Sequence, residues 1–510
     1  MKIVIRADAS IEISTGHIMR CLTLADVLKN QGAEVSFICR EHKGNLIHHI
    51  EEKGYFVYKL DALLSKTDRL NELNYSPLVH ASWLGSTQQE DAEACDSILE
   101  AIIPDWLIVD HYALDYRWQI KLKKHYKSLM VIDDLADRKH ECNLLLDQTF
   151  GRKFDDYSKL VPQDCILLLG AQYALLRPEF LKWRKYSLQR RTNPELKNIL
   201  INMGGIDRDN VTGQVLNILK SCVLPEKITV TVILGVANPS IEAVKKLANE
   251  MLIKTEVKVN VNNMAELMAD ADLAIGAAGS TTWERCCLGL PSIQVVLADN
   301  QSLIAENLNK ANVIQFVENL LSLSLTVNSI VKRLKKLSFL SSTMTDGRGS
   351  DDVCDYLISS KSIDEKITLK PVDLNDCKYI YSLQTTLARK YSRNPSEPIW
   401  EEHVRWFKNT LDAEYSVLVS ILLGQHAVGM LRLDNIDKDE IEISIIVSPH
   451  YSGQGIAKKA LIKAIELQPK ARFKAAIHKE NIPSQHVFEK IGFNKVGELD
   501  GFLQYTLENS

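Results

Sequence analysis

The chain has 510 residues, and at roughly 100–200 residues per domain it should hold about three compact units. Lys+Arg of 61 against Asp+Glu of 65 leaves a formal net charge of −4 with both signs interspersed, which argues against the basic stripe of a nucleic-acid binder and against an acidic disordered tail. An apolar fraction of 45% with 25% charged residues is ordinary globular composition, with material for several cores.

The opening segment, MKIVIRADAS, reaches Arg6 and Asp8 too soon for the apolar region of a signal peptide. Lys2–Arg6 reads as a buried strand, His17 to Asn30 as a helix ended by Gly32, and Glu34–Cys39 as the next strand. Further strands are predicted at Trp106–Asp110, Leu129–Asp133 and Cys165–Leu169. Strands alternating with helices imply a parallel sheet covered on both faces. The polar, basic stretch Lys182–Lys197, broken at Asn193–Pro194, reads as a linker. The pattern restarts with strands at Asn198–Asn202, Ile228–Leu234, Lys258–Val261 and Asp272–Ile275. Residues 1–183 and 184–358 are therefore expected to form two doubly wound, Rossmann-like α/β lobes with a cleft between them. A second polar run, Ser359–Lys366, precedes a third domain, 367–510, of α+β rhythm. Its predicted elements are a strand at Ile367–Lys370, helices at Leu374–Thr386 and Trp400–Thr410, and strands at Tyr415–Leu422, Ala427–Leu433 and Glu440–Val447. Tyr415–Leu433 is the most apolar stretch, but Ser416, Ser420, Gly424, Gln425, His426 and Gly429 interrupt it. It reads as a strand pair and not as a membrane span. The 10 cysteines lie scattered without C-x-x-C spacing, as reduced packing residues with no disulfide framework or zinc site. The expectation is a soluble, cytoplasmic protein with no metal, membrane or nucleic-acid partner.

Three motifs carry chemistry. In the first lobe, the strand runs into a turn at Gly16, and His17 opens the following helix. A strand, a glycine turn and a helix N-terminus make a corner of free N–H groups, and a histidine there can take a proton from water. A first-turn polar residue without chemistry is the alternative. Asp110, Asp133 and Asp134 stand at strand carboxyl ends, where such sheets place ligands, and they serve equally as helix caps or turn formers.

In the second lobe, Met203-Gly204-Gly205-Ile206-Asp207 follows a strand and can aim backbone amides at a phosphate. Ala277-Ala-Gly279-Ser280-Thr281-Thr282-Trp283-Glu284 follows another. It presents amides and hydroxyls to a diphosphate, with Glu284 one turn along to accept the protons of a ribose. Asn263, in the preceding Asn-Asn-Met turn, is a further candidate, and a capped helix without a ligand is the alternative.

These residues carry a resemblance. Arg6-Ala-Asp-Ala-Ser10, Gly16-His17 and Met19-Arg20-Cys21-Leu22-Thr23-Leu24-Ala25 closely resemble the UDP-sugar hydrolase of the pseudaminic-acid pathway. The likeness extends over about residues 1–357 through Ile132-Asp-Asp-Leu-Ala-Asp-Arg138 and Tyr173-Ala-Leu-Leu-Arg-Pro-Glu179. It implies a two-lobed, glycosyltransferase-B-like fold and cleavage of UDP from a 2,4-diacetamido-2,4,6-trideoxy-L-altrose, with His17 as catalytic base. Gly16, Gly204, Gly205, Asn263, Gly279, Ser280, Thr281 and Glu284 would then line the UDP site. Where that family has Gly-x-Gly-His, this chain has Ser14, which narrows the conformations open to the turn.

In the third domain, Ile445-Ile-Val447-Ser-Pro449-His-Tyr451-Ser452-Gly453-Gln454-Gly455-Ile456-Ala457 joins a strand to a helix through a glycine turn. His478-Lys-Glu-Asn481-Ile-Pro-Ser484 and Phe488-Glu-Lys-Ile-Gly492-Phe493 follow. Together they resemble a GNAT-type N-acetyltransferase over about residues 367–507. That implies acetyl-CoA as co-substrate, cradled by Val447, Gly453, Gln454, Gly455, Ile456, Ala457, Asn481 and Ser484. Glu442 is either the base acting on an ammonium through water or a solvated strand residue. Ser452 stands where Arg or Gln is usual, and Phe488 where many members carry a Tyr that protonates the thiolate. The two resemblances together imply acetylation of the 4-amino group of a UDP-amino-sugar and hydrolytic release of UDP. A UDP-sugar glycosyltransferase with an attached acyltransferase, and a hydrolase with an inactive acetyl-CoA-binding module, are the alternatives.

Overall fold

The computed structural model describes residues 1–62, 78–222, 224–225, 227–236, 238–297, 301–358, 367–384, 386–396, 398–423, 426–437, 440–448, 451 and 455–508. They form two compact units, the first holding Met1–Arg152 and Asp156–Leu357 and the second holding Lys153–Asp155 and Ile358–Ser510. Ser359–Lys366, Pro449, His450, Ser452, Gly453 and Gln454 of the sequence motifs lie outside the described residues.

The first unit contains two parallel sheets. One is built from β1 (Lys2–Ala7), β2 (Glu34–Arg40), β3 (Phe56–Leu60), β4 (Trp106–Asp110), β5 (Ser128–Ile132), β6 (Leu144–Asp147) and β7 (Ile166–Leu169), in the order β3-β2-β1-β4-β5-β6-β7. The other is built from β8 (Asn198–Asn202), β9 (Thr229–Leu234), β10 (Lys254–Val259), β11 (Leu273–Ala277), β12 (Ser292–Val295) and β13 (Gln315–Val317), in the order β10-β9-β8-β11-β12-β13. Short apolar runs such as Ile3-Val4-Ile5 and Leu107-Ile108-Val109 are buried on both faces, as strands covered by helices on either side must be. In each sheet the strand order reverses once, between β1 and β4 and between β8 and β11. Loops leaving neighbouring strands at such a point run to opposite sides of the sheet and open a crevice at its carboxyl edge. His17 follows β1 and Asp110 ends β4; Gly204 follows β8 and Gly279 follows β11.

The expected linker at Lys182–Lys197 is not one. A helix spans Pro178–Arg190, with proline in its first turn and Phe180 fully buried. Its basic residues serve packing. Arg184 donates to the carbonyls of Cys287, Ser342 (2.8 Å) and Thr345 (3.1 Å), and Arg191 to those of Met268 (2.9 Å), Ala269 (3.1 Å) and Ala271 (2.6 Å). The boundary expected between residues 183 and 184 therefore falls inside a helix joined to the second sheet's layer.

The second unit is a single mixed sheet of β14 (Ile367–Pro371), β15 (Ser416–Leu423), β16 (His426–Asp437), β17 (Glu440–Val447), β18 (Arg472–His478), β19 (Asn494–Leu499) and β20 (Phe502–Glu508), in the order β14-β15-β16-β17-β18-β20-β19. All its pairs are antiparallel except β17 with β18. That pair holds register only at Glu440↔Arg472, Ile441↔Phe473 and Glu442↔Lys474, whereas β17 remains paired with β16 as far as Val447. The two parallel strands thus part halfway along the sheet. The helix expected over Leu374–Thr386 is instead a short turn and two pieces, Cys377–Ser382 and Thr386–Arg389. Ile380, Leu383, Phe407, Leu418 and Met430 form the local core. Among the described residues, no helix is long and apolar enough to cross a membrane.

Candidate active site

His17 is positioned by backbone before any side chain acts. Ser10 Oγ accepts from the amides of Glu12 (3.1 Å) and Ile13 (2.9 Å), and Ser14 N–H closes the turn on the Ser10 carbonyl (2.9 Å). Ser14 adopts φ +70°, the left-handed conformation that glycine takes without strain. The helix Gly16–Asn30 then begins without a side-chain cap.

The imidazole is 8% exposed and meets three other elements. Its Nδ1 lies 2.6 Å from Asp110 Oδ1; a carboxylate only accepts, so Nδ1 carries the proton. Nε2 has no hydrogen-bond partner among the described residues. Arg20, one turn along the same helix, grips both oxygens of Asp110 (2.7 Å each) and reaches Asp134 Oδ2 (2.6 Å). Tyr112 donates to that same Asp134 oxygen (2.7 Å) and sets its ring edge-on to His17 at 4.6 Å. Burial alone would raise the Asp110 carboxyl, but Arg20 and then His17 hold it well below the usual carboxylate range. Asp110 is thus a fixed negative charge that selects one histidine tautomer. Trp83 stacks with Tyr112 (5.8 Å) and His80 lies on Trp83 (4.3 Å), so a wall of rings borders the histidine.

Asp133 does not join this set. Its carboxylate faces Arg138 (2.8 Å) and accepts from Tyr157 (2.8 Å), whose hydroxyl also lies 2.8 Å from Asp147. Residue types and strand ends flagged Asp110 and Asp134, but not the pairing of Asp110 with His17 or of Asp134 with Arg20. Arg20 had a readable signal, since three residues on a helix place it on the face of His17. Trp83 and His80 had none.

The second lobe presents mostly backbone at the equivalent edge. Gly204 turns at φ +95°, and a Cβ added at Gly204 or Gly205 would meet nothing within 4 Å. At Gly279 the nearest atom to such a Cβ is Gln301 Nε2 at 3.8 Å. Ser280 and Thr281 open a short helix that has no side-chain cap. Glu284 lies 3.5 Å from Arg177 of the Arg-Pro-Glu segment; burial pushes its carboxyl up, and Arg177 opposes this. Asn263 begins the helix after the edge strand β10, and its amide donates to Glu266 (2.7 Å).

In the second unit, Val447 ends β17, and Gly455 (φ +74°) opens the helix Ile456–Glu466 without a side-chain cap. Ile456 is buried beneath that turn, and Ala457 is half-buried. Asn481 accepts from the Ser484 amide (3.3 Å) and so caps the helix Ile482–Lys490. Glu442 stands at the last paired position of β17 and β18 and receives Arg393 at 3.3 Å. Phe488 is 3% exposed and packs edge-on against Phe493. Among the described residues, no group of three His, Cys, Asp or Glu side chains is arranged to hold a metal ion.

Comparison with known proteins bears on both units. Residues 366–494 match the acetyltransferase (GNAT) domain model, and residues 212–345 match the glycosyltransferase family 28 C-terminal domain model. MurG of Acinetobacter baumannii, 14% identical, superposes with a TM-score of 0.51 over 70% of this chain and 98% of its own, which places the two parallel sheets in the glycosyltransferase-B-like fold. The chain is thus an enzyme joining a glycosyltransferase-B-like α/β unit to a GNAT acetyltransferase domain. More particularly, its N-terminal part is homologous to the UDP-2,4-diacetamido-2,4,6-trideoxy-beta-L-altropyranose hydrolase of Campylobacter jejuni, at 28% identity over 61% of this chain and 97% of that one. An uncharacterized protein of Methanocaldococcus jannaschii is 26% identical over 97% of both chains, so the two-part arrangement is shared along its whole length.

Proposed function

We propose that the first unit hydrolyses a UDP-linked 2,4-diacetamido-2,4,6-trideoxy sugar and that the second acetylates the 4-amino group of its UDP-linked precursor with acetyl-CoA. The observation that carries the hydrolase reading is the His17–Asp110–Arg20 set, built at the strand-order reversal of the first sheet. Water held at His17 Nε2 attacks the anomeric carbon and its proton passes to Nε2, while Asp110 stabilises the imidazolium that forms. The C–O bond to the β-phosphate breaks, UDP departs and the anomeric configuration inverts. Gly204, Gly205, Gly279, Ser280 and Thr281 would receive the diphosphate through N–H and hydroxyl donors, and Glu284 the ribose. The ring wall of Tyr112, Trp83 and His80 suits a sugar that carries the apolar methyls of two acetamido groups and of C6.

In the second unit, the first-turn amides at Ile456 and Ala457 would take the CoA pyrophosphate. Glu442 would draw a proton from the sugar ammonium through water, and water or another group must protonate the departing thiolate because Phe488 has no hydroxyl. The match of residues 212–345 to a glycosyltransferase domain favours a second reading, transfer of the sugar to an acceptor. Mass spectrometry of products from the UDP-4-amino-sugar plus acetyl-CoA, with no acceptor present, separates them. Free acetylated sugar and UDP support the hydrolase reading; intact acetylated nucleotide sugar that is consumed only when an acceptor is added supports transfer.

A further inference from the structure

The loop that follows β8 is held rigidly by its own polar groups. Asp207 (φ +43°) caps the amides of Val211 and Thr212 at 2.9 Å each, and Asn210 (φ +48°) accepts from Gly213 at 3.1 Å. Both side chains are thereby committed to the helix Val211–Leu219. Arg208, between them, is exposed and points the other way. Its guanidinium donates to the carbonyl of Ile11, in the turn that leads into Gly16 and His17 of the first lobe. Among the described residues, no carboxylate pairs with it. The turn it reaches is also fixed, by Ser10 and by the Ile11 amide on the Lys43 carbonyl (3.1 Å).

An exposed arginine that pairs with no carboxylate among the described residues thus lies three residues past a Gly-Gly turn with open space and touches the loop of the base. Resting on the UDP-sugar reading above, we propose that Arg208 binds the nucleotide's diphosphate and holds the charge of the leaving group. As the C–O bond breaks, its electron pair passes to the β-phosphate oxygen while the water proton goes to His17 Nε2. A guanidinium offers several donors in a planar fork, so one N–H can keep the Ile11 carbonyl while others take phosphate oxygens.

The test is calorimetric titration of wild type, Arg208→Ala and Arg208→Lys with UDP and with UMP, beside the rate of UDP release. Arg208→Ala should weaken UDP by about tenfold or more, the loss of a charge-assisted contact, while UMP changes by less than about threefold. Arg208→Lys should recover part of the UDP affinity, and UDP release should slow in the same order. Equal losses for UDP and UMP would reduce Arg208 to a structural tie to Ile11 and overturn the assignment, as would unchanged UDP affinity. Wild-type protein that bound neither nucleotide would instead sink the UDP reading, and this assignment with it.

Discussion

The carboxyl edges of the two parallel sheets occupy the same topological position and are furnished in opposite ways. At the first, Asp110, Arg20, Asp134, Tyr112 and His17 interlock through bonds of 2.6–2.7 Å, and Asp110 is wholly buried. At the second, Gly204 and Gly205 leave backbone facing open space, and Gly279 faces only the end of the Gln301 side chain. Proton transfer needs a side chain held in one tautomer and one orientation, which a buried ion pair enforces. Phosphate recognition needs several donors at close range, which bare amides supply with the least bulk. One lobe is therefore vulnerable to losing a group and the other to gaining one.

His17→Asn is the sharpest cut at the first edge. UDP release should fall by about 10²–10⁴-fold, the usual cost of a lost general base, while calorimetry finds UDP binding intact. Asp110→Asn should strike activity and fold together. It leaves Arg20 with a neutral amide in a buried site, a change worth about 3–5 kcal/mol, and it releases the tautomer of His17. Chemical denaturation should show the loss of stability, which His17→Asn should not share. If both variants were equally stable, the interlocking of the first edge would be weaker than its geometry indicates.

Gly205→Val probes the opposite edge. A Cβ at this position meets no protein atom within 4 Å, so the thermal midpoint should hold while UDP affinity drops by roughly tenfold, about one charge-assisted contact. Unchanged affinity would mean that the open space at Gly205 is not where the nucleotide lies. The smallest effect concerns pH. Burial, with Asp134 and Asp133 adding to it against Arg152, pushes the Asp147 carboxyl up to about 7, so the folded state binds its proton more tightly than the unfolded chain. Stability from this group is full below its ordinary value near 3.8 and declines as pH rises through about 7. Thermal midpoints between pH 5 and pH 8 should fall in wild type and fall less in Asp147→Asn.

What the sequence revealed follows from where its pattern was undiluted. WLIVD, NILIN and EIEISIIV were readable as strands because apolar β-formers dominate each, and β4, β8 and β17 run over those same residues. Ser292–Val295 escaped notice because Ser292 and Gln294 are polar, yet both are buried; Gln294 donates to Ser292 and accepts from Thr282. Asn494–Leu499 is exposed along its whole length and carries no alternation to detect. The stretch at Lys182–Lys197 misled for a related reason. Arginines that satisfy buried carbonyls look, in composition, like arginines in solvent. His17 was legible from the glycine turn before it, but its partnership with Asp110 joins residues 93 apart in sequence, and no local pattern carries such information.

The parting of β17 and β18 leaves the stretch from Ile443 to Val447 with one side in the ladder and the other facing no strand. A free strand edge is ordinarily a hazard at a protein's rim, where another chain can add to it; here it lies inside a sheet, flanked on both sides. Amides on that edge should exchange with deuterium faster than those paired to β16, although they belong to a central strand. An extended ligand that carries its own amide groups, as the pantetheine arm of CoA does, can fill the gap as a missing strand segment would. Binding would then be recorded as slowed exchange along Ile443–Val447 without any rearrangement of the chain.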